Sequence, residues 1–160
     1  KDNTPAVIHY EIKPGDGLKI TLLPKGGGAE NCSAVKMLRP ADGLKGVMDF
    51  VVETVKNAGG KCCPPGVVGV GVGGTSDYAA YLSKKALNRK IGEHNPNPHY
   101  AKMEEDLLTR INNLGIGPQG LGGVVSALAV NVEYFPCHIA SLPVFVTMNC
   151  HSQRHSSLEL

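Results

Sequence analysis

Glycine is unusually frequent in this chain and is concentrated in three short segments. Of the 160 residues 20 are glycine, well above the usual share of roughly 7%. The clusters lie at 26–28, 66–74 and 115–123. Glycine loses more backbone entropy on ordering than any other residue, so such clusters indicate places where the backbone turns tightly or approaches another group closely. The helices and strands have to fit around these three segments.

Apolar periodicity predicts strands and helices that alternate around the glycine segments. Residues 44–55 carry apolar side chains at helical spacing, with Asp42 as a candidate N-cap and Gly59 as the stop. The apolar run 66–72 is typical of a buried strand. The same reasoning predicts two more helices, at 77–88 and 97–114, and two more strands, at 124–132 and 142–149.

The first residues predict an antiparallel hairpin. Segments 6–12 and 18–24 alternate apolar and mixed residues, and Pro14-Gly15-Asp16-Gly17 between them is typical of a turn. The predicted buried face carries Ile8, Tyr10 and Ile12. We therefore expect residues 1–160 to form one mixed α/β (α+β) domain: a β-sheet with an antiparallel hairpin at the start and flanking helices.

Composition argues against several classes of protein. A net charge of +2 and eight aromatic residues without Trp do not favour nucleic acid as a partner. No apolar stretch has the length of a membrane span, and no signal-peptide core follows Lys1, so a cytoplasmic location without a membrane is expected. The first residue is not Met, which leaves a processed, trimmed or engineered chain open.

Five cysteines without a CxxC pair, and without an export signal, favour free thiols, metal ligation or catalysis over a disulfide framework. Cys63 and Cys150 lie at the ends of predicted elements, where a thiolate can be aimed at a metal. Cys32 and Cys62 are expected to be small buried side chains. Among six histidines, His138 is the best placed for acid–base or hydrogen-bond work.

Two weaker patterns offer alternatives. A zinc site can be drawn from Cys137, Cys150, His151 and His155, although the spacing lacks the usual cysteine pairs. The glycines of 69–74 match G-x-G-x-x-G literally, which suggests a dinucleotide site. However, Gly69 and Gly71 lie inside the apolar run and not after it, so tight packing of a strand on a helix explains them equally well.

Seven segments, in order and over nearly the whole chain, carry a resemblance to a known family. The chain resembles the iron–sulfur hydro-lyases of the class I fumarase and L(+)-tartrate dehydratase alpha-subunit type. The matching segments are DNTPAVIHYEI at 2–12, PKGGGAEN at 24–31, KMLRPADG at 36–43, CPPGVVGVGVGGT at 63–75, LGIGPQGLGG at 114–123, HIASLPVFV at 138–146 and CHSQRH at 150–155.

The resemblance implies a [4Fe–4S] cluster held by three cysteines, with one iron left open to bind the departing hydroxyl. Cys63 and Cys150 match two of the ligands; the third belongs upstream of DNTPA and is not in this chain, so a cluster-free fragment stays open. By the same resemblance, His138 lies near the substrate as the catalytic candidate. Gly27 would make a backbone contact to a substrate carboxylate, and Lys25 and Arg154 would be its charge partners.

The implied reaction dehydrates a small 2-hydroxy dicarboxylate, either fumarate/malate or tartrate/oxaloacetate. The proton-abstracting base and further arginines would come from a beta subunit or a fused C-terminal domain, and an oligomer is expected. Residues 1–160 would then be the C-terminal portion of an alpha-type domain that lacks its N-terminal segment and is inactive alone. The alternatives are a non-catalytic domain that keeps the fold without the cluster, or a zinc- or nucleotide-binding module.

Overall fold

The computed structural model describes residues 4–160, and the elements lie in that range in the following order. They are β1 (Lys19–Leu22), α1 (Gly27–Glu30), β2 (Ala34–Leu38), α2 (Gly43–Ala58), β3 (Gly66–Gly73), α3 (Ser76–Ala86), α4 (Pro98–Asn112), β4 (Ala127–Phe135), β5 (Leu142–Asn149) and β6 (Ser156–Glu159). Short 3-10 turns occupy Pro40–Asp42, Gly59–Cys62 and Pro118–Gly120. No helix of this part of the chain is long and apolar enough to cross a membrane.

A four-stranded mixed sheet forms the centre of the fold, with the strand order β2-β5-β3-β4. Strands β3 and β4 run parallel, whereas β5 runs antiparallel to both β2 and β3. The start of β3 and the end of β5 therefore lie at one end of the sheet, where Val67 is paired with Asn149. The loop from β4 to β5 lies at the other end.

Alternate residues of β3 face two different helix layers. Val68 and Val70 belong to the main core, which also takes the apolar stripes of α2 and α4. Helix α3 packs on the opposite face, against β3 and β5. The mixed α/β fold class is thus confirmed, and so are the predicted helices and the strands at 66–72 and 142–149.

The glycines of β3 allow α3 to approach the sheet closely. A Cβ added at Gly69 would lie 2.1 Å from the carbonyl oxygen of Ser83, and one at Gly71 would lie 2.0 Å from that of Ala79. No side chain fits in these gaps. The literal G-x-G-x-x-G spacing is therefore explained by strand–helix packing, the alternative that the sequence left open.

The predicted partner of the first strand is wrong. Residues 6–12 form no strand, and the side chains expected to be buried are exposed: Ile8 by 62%, Tyr10 by 83% and Ile12 by 98%. Strand β1 instead pairs antiparallel with β6, where Lys19 lies opposite Glu159 at an ion-pair distance of 2.6 Å. The N-terminal segment runs over α3, and Glu11 accepts a hydrogen bond from Tyr81 at 2.7 Å.

Helix starts follow two different capping arrangements. At α4 the side chain of Asn97 accepts the backbone N–H of His99 at 3.0 Å, as the Asn-Pro pair predicts. At α2 the carboxylate of Asp42 does not cap the helix. It accepts the backbone N–H of Arg39 at 2.8 Å and so closes the preceding 3-10 turn.

Candidate functional site

Cys63 and Cys150 lie at the same end of the sheet, which we call the cysteine end: residues 25–32, 59–65, 115–123 and 150–155. The backbone N–H of His151 donates to the carbonyl of Cys63 at 3.1 Å. Standard bond lengths then place the Cα atoms of Cys63 and Cys150 within about 9 Å of each other. Two residues separated by 87 positions are thus neighbours, as the resemblance requires of two ligands of one cluster.

The turn that carries Cys63 exposes its thiol. Helix α2 ends in the 3-10 turn Gly59–Cys62, and Cys63 follows in the left-handed conformation with φ of 53°. The thiol of Cys63 is exposed, whereas its neighbour Cys62 is buried. The reversal directs two adjacent cysteines to opposite sides, one into the core and one to the surface.

The thiols of the cysteine end differ in acidity. A hydrogen bond with the Ser152 hydroxyl, at 3.0 Å, is the main cause that lowers the pKa of Cys150, and the positive charge of Arg154 adds to it. Burial raises the pKa of Cys62 to about 11. Because metals bind the thiolate and not the thiol, Cys150 is suited to ligation and Cys62 is not.

Lys25 lies at the cysteine end in an ion pair with Glu30, at 2.8 Å. Glu30 also binds Lys84 of α3, at 2.6 Å. Burial lowers the pKa of Lys25, against the opposing effect of Glu30. One carboxylate between two ammonium groups leaves a net positive charge near Cys150, and the Lys25 ammonium exerts its share from a buried position.

Gly27 and Arg154 complete the predicted residues that the structure brings to this end. Gly27 starts the single-turn helix α1, which packs against the 3-10 turn Gly59–Cys62 and against β5. First-turn N–H groups have no partner within a helix, so the N–H of Gly27 is available to an acceptor. Arg154 is exposed and close enough to act on the Cys150 thiolate.

Gln119 is a residue of this end that the sequence analysis did not single out. Its backbone N–H donates to the Pro64 carbonyl at 2.7 Å, and its side-chain Nε2 donates to the same oxygen at 3.3 Å. The signal was present in GIGPQGLGG, where one long polar side chain stands among glycines. Only the pairing of this loop with Pro64 shows what that side chain contacts.

The prediction that His138 lines one cavity with Cys63 and Cys150 is wrong within a single copy of the chain. His138 is exposed in the β4–β5 loop, where its Nδ1 accepts the backbone N–H of Ala140 at 3.1 Å. Strand β5 spans the sheet between this loop and Cys150, a distance of about 20 Å or more for an eight-residue strand. The catalytic role of His138 stays a prediction without support from its position here.

The zinc alternative fails for the same geometric reason. Cys137 lies in the β4–β5 loop, with its thiol hydrogen-bonded to the Ser141 carbonyl at 3.1 Å, far from Cys150 and His155. Among residues 4–160, no three His, Cys, Asp or Glu side chains converge closely enough to hold a metal ion. The thiols of Cys63 and Cys150 at the cysteine end fit a metal–sulfur cluster by donor type, as two of its ligands.

Comparison with known proteins identifies the family of the chain. The profile of the family described as Fumarate hydratase (Fumerase) matches residues 1–159. The chain belongs to the fumarate hydratase family.

Proteins similar to this chain carry more specific names. A protein of Methanocaldococcus jannaschii named "Putative L(+)-tartrate dehydratase subunit alpha" is 50% identical over 155 residues, which cover 96% of this chain and 54% of that protein. The L(+)-tartrate dehydratase subunit alpha of Escherichia coli K12 is 38% identical over 152 residues, covering 94% of this chain and 50% of that protein. The chain thus spans about half the length of the curated relatives it matches.

Proposed function

We propose that this chain is part of a [4Fe–4S]-dependent hydro-lyase that interconverts a 2-hydroxy dicarboxylate and its dehydrated product. The observation that carries the proposal is the hydrogen bond from His151 to the Cys63 carbonyl, which brings the exposed Cys63 and the half-buried Cys150 together. Membership of the fumarate hydratase family and the similarity to named tartrate dehydratase alpha subunits support the reaction class. The substrate pair is fumarate and malate, or tartrate and oxaloacetate.

Cys63 and Cys150 would hold the cluster as two of its thiolate ligands, and a third thiolate would come from outside these residues. When bound, the cluster supplies an iron Lewis acid that polarises the hydroxyl to be eliminated. The hydrogen bond with Ser152 lowers the pKa of Cys150 and so favours its thiolate form. Cys62 stays protonated in the core and takes no part.

The positive groups of the cysteine end would bind the substrate carboxylates. Lys25 and Arg154 supply charge, and the N–H of Gly27 supplies a backbone donor. Glu30 fixes the Lys25 ammonium by the ion pair at 2.8 Å, so the charge is placed before the substrate arrives. Preorganised donors of this kind orient a ligand without reorganisation during the reaction.

A partner that carries the base and further carboxylate-binding groups is part of the proposal. The named relatives are alpha subunits, which supports a beta subunit or a fused domain. Exposed apolar side chains also support a covering partner, an assembly larger than one chain, or both. They lie on the N-terminal segment and on the β1–β6 pair and include Val7, Ile8, Tyr10, Ile12, Leu22 and Leu158. Five free thiols fit the reducing cytoplasm as the location.

The test is iron and sulfide analysis of the anaerobically prepared natural full-length protein with its partner. Cys63→Ser and Cys150→Ser should each lose the bound iron, whereas the matched neighbour variant Cys62→Ala should keep it. Iron that is retained in Cys63→Ser would contradict the ligand assignment. A wild-type protein with neither iron nor turnover would instead support a non-catalytic domain of the same fold.

A further inference from the structure

The side chain of Gln119 contacts both cysteine-bearing segments at once. Its Nε2 donates to the Pro64 carbonyl at 3.3 Å and lies 3.4 Å from Nδ1 of His151. Pro64 directly follows Cys63, and His151 directly follows Cys150. One amide group therefore spans the gap between the two turns that carry Cys63 and Cys150.

His151 closes the arrangement from the other side. Its backbone N–H donates to the Cys63 carbonyl at 3.1 Å, and its ring Nδ1 lies 3.2 Å from the same oxygen. With the ring proton on Nε2, Nδ1 accepts from the Gln119 amide, and the backbone N–H of His151 holds the Cys63 carbonyl. The carbonyls of Cys63 and Pro64 are thus both held by groups from other segments of the chain.

The backbone of Gln119 is in a conformation that residues other than glycine rarely adopt. Its φ is 56°, in the left-handed region, and the nearby glycines 117 and 120 also have positive φ. Glycine takes this conformation without steric cost, but a residue with a Cβ does not. A glutamine at such a position points to a use for its side chain, since strained residues persist where the surroundings or the function require them.

Backbone packing fixes the position from which Gln119 reaches across. A Cβ added at Gly120 would lie 2.6 Å from the Cα of Gly60, so loop 115–123 lies directly on the 3-10 turn before Cys63. The backbone N–H of Gln119 donates to Pro64 at 2.7 Å. These backbone contacts hold the Gln119 side-chain amide beside Pro64 and His151. The hydrogen bonds of the amide then join the Cys63 turn to the Cys150 segment.

We propose that Gln119 is a positioning residue: its side-chain amide fixes the Cys63 turn against the Cys150 segment and so sets the separation of the two thiols. The importance of that separation for cluster binding rests on the proposed function. The separation itself is a property of this chain and is measured without a cluster.

The experiment uses the cluster-free 160-residue chain with Cys32→Ser, Cys62→Ala and Cys137→Ser, so that Cys63 and Cys150 are the two remaining thiols. The probe is dibromobimane, which becomes fluorescent when it bridges two nearby thiols. Gln119→Gly removes the side chain and relieves the backbone strain, whereas Gln119→Glu keeps the shape but removes the N–H donor. Monobromobimane, which reacts with single thiols, is the control for reactivity.

Both variants should cross-link about three- to tenfold more slowly than the background chain, the range expected for one lost hydrogen bond. Single-thiol labelling should be unchanged, and the Tm of Gln119→Gly should not fall. Cross-linking at the background rate in either variant would overturn the proposal. A fall in Tm that accompanies slower cross-linking in both variants would also overturn it, because it would show general structural support.

A second readout connects the inference to the cluster. In the reconstituted full-length enzyme, Gln119→Glu should release iron to a chelator about three- to tenfold faster than the wild type, again by the loss of one hydrogen bond. Equal release rates would contradict the link between thiol separation and cluster retention. A wild-type enzyme without iron would contradict the proposed function, while the cross-linking result would still decide the role of Gln119.

Discussion

Cys62 and Cys63 are adjacent in the chain, yet their thiols have opposite environments. Cys62 is 2% exposed and donates towards the Gly59 carbonyl, and burial raises its pKa to about 11. Cys63 is exposed because its own left-handed conformation reverses the chain at that point. The pKa of Cys150 shifts in the opposite direction to that of Cys62, because the hydrogen bond with Ser152 lowers it. At the residue scale, backbone conformation and one hydroxyl decide which thiols are available as ligands.

Ser152→Ala should slow the alkylation of Cys150 at neutral pH. The hydroxyl hydrogen-bonds the thiolate at 3.0 Å and lowers the pKa of Cys150 below its ordinary 9.0, so its loss moves the pKa upward and reduces the thiolate fraction. The measurement is the pH dependence of iodoacetamide labelling in the cluster-free chain, followed by mass spectrometry. The midpoint should shift to higher pH, and Ser157→Ala, remote from Cys150, should leave it in place. An unchanged midpoint in Ser152→Ala would refute the role of this hydroxyl.

The packing of helix α3 on strand β3 depends on positions where no side chain fits. At Gly71 a Cβ would meet the Ala79 carbonyl at 2.0 Å and the Ser83 nitrogen at 2.7 Å, both backbone atoms. Backbone atoms of a packed helix cannot move aside as a flexible side chain can. The spacing of glycines along β3 is therefore a consequence of the distance between helix and sheet.

Gly71→Ala should lower the free energy of unfolding by about 1–3 kcal/mol, the usual range for overpacking a tight core. The matched control is Gly28→Ala at the exposed end of α1, where an added Cβ meets nothing within 4 Å. Urea unfolding followed by circular dichroism gives both values. Equal stability of the two variants would contradict the packing explanation for the glycines of β3.

A buried ionic network joins α4 to the edge strand β4. Glu104 is 1% exposed and accepts the backbone N–H groups of Val132 at 2.7 Å and Asn95 at 2.9 Å, in addition to its ion pair with Arg89. Every oxygen of the carboxylate thus has a partner. Removing the guanidinium would leave the buried negative charge with only the half-exposed His94 ring, at 3.5 Å, beside it.

Arg89→Met should therefore destabilise the fold by about 3 kcal/mol, as expected for breaking a buried pair from one side. The double variant Arg89→Met/Glu104→Gln should recover part of this loss, since it removes the uncompensated charge. Lys102→Met is the control, because its pair with Asp106 on α4 is exposed and such pairs contribute about 0–1 kcal/mol. A double variant no more stable than Arg89→Met alone would argue against the charge as the cause.

Local sequence patterns predicted the helices and strands but not the pairing of strands that lie far apart in the chain. The apolar stripe of 44–55 and the runs at 66–72 and 142–149 correspond to α2, β3 and β5, because each pattern lies within its own element. The partner of β1 is β6, and their paired residues Lys19 and Glu159 are 140 positions apart, which leaves no local trace. The alternation in 6–12 resembles a strand but has no sheet partner in residues 4–160.

The part of the candidate site that depends on which residues flank each strand was predictable from the sequence. Cys63 and Cys150 stand at the ends of β3 and β5, and antiparallel pairing of these strands brings them together. The position of His138 depends on strand order, which the sequence does not encode locally. Since β4 runs parallel to β3, the loop after β4 lies at the end away from the cysteines. Gln119 was missed because its contacts depend on a loop that folds back over 55 residues to Pro64.

At the scale of the whole molecule, the cysteine end has the form of an open, partial site. The exposed Cys63, the half-buried Cys150, the Glu30 ion pairs with Lys25 and Lys84, and the first-turn N–H of Gly27 lie together there. Within the described part of the chain, no third metal-binding side chain joins the two thiols. The chain spans about half of its named relatives, which leaves room in such proteins for further site residues.

The 160-residue chain alone should therefore show no turnover. Two thiolates hold a three-cysteine cluster weakly, and a cluster exposed at the surface is open to oxidation. The proposed base and the remaining carboxylate-binding groups lie outside the chain, and loss of groups that act as a unit removes nearly all activity and not a proportional share.

The measurement is anaerobic reconstitution with iron and sulfide, followed by hydration of fumarate and dehydration of tartrate. Turnover should appear when the chain is replaced by the full-length protein with its partner, and should disappear again in Cys150→Ser of that assembly. The matched variant Cys62→Ala should retain it, because the buried thiol takes no part in the site. Activity from the isolated chain would mean that a complete site lies within these residues, and the assignment of the third ligand and the base to other segments would then be wrong.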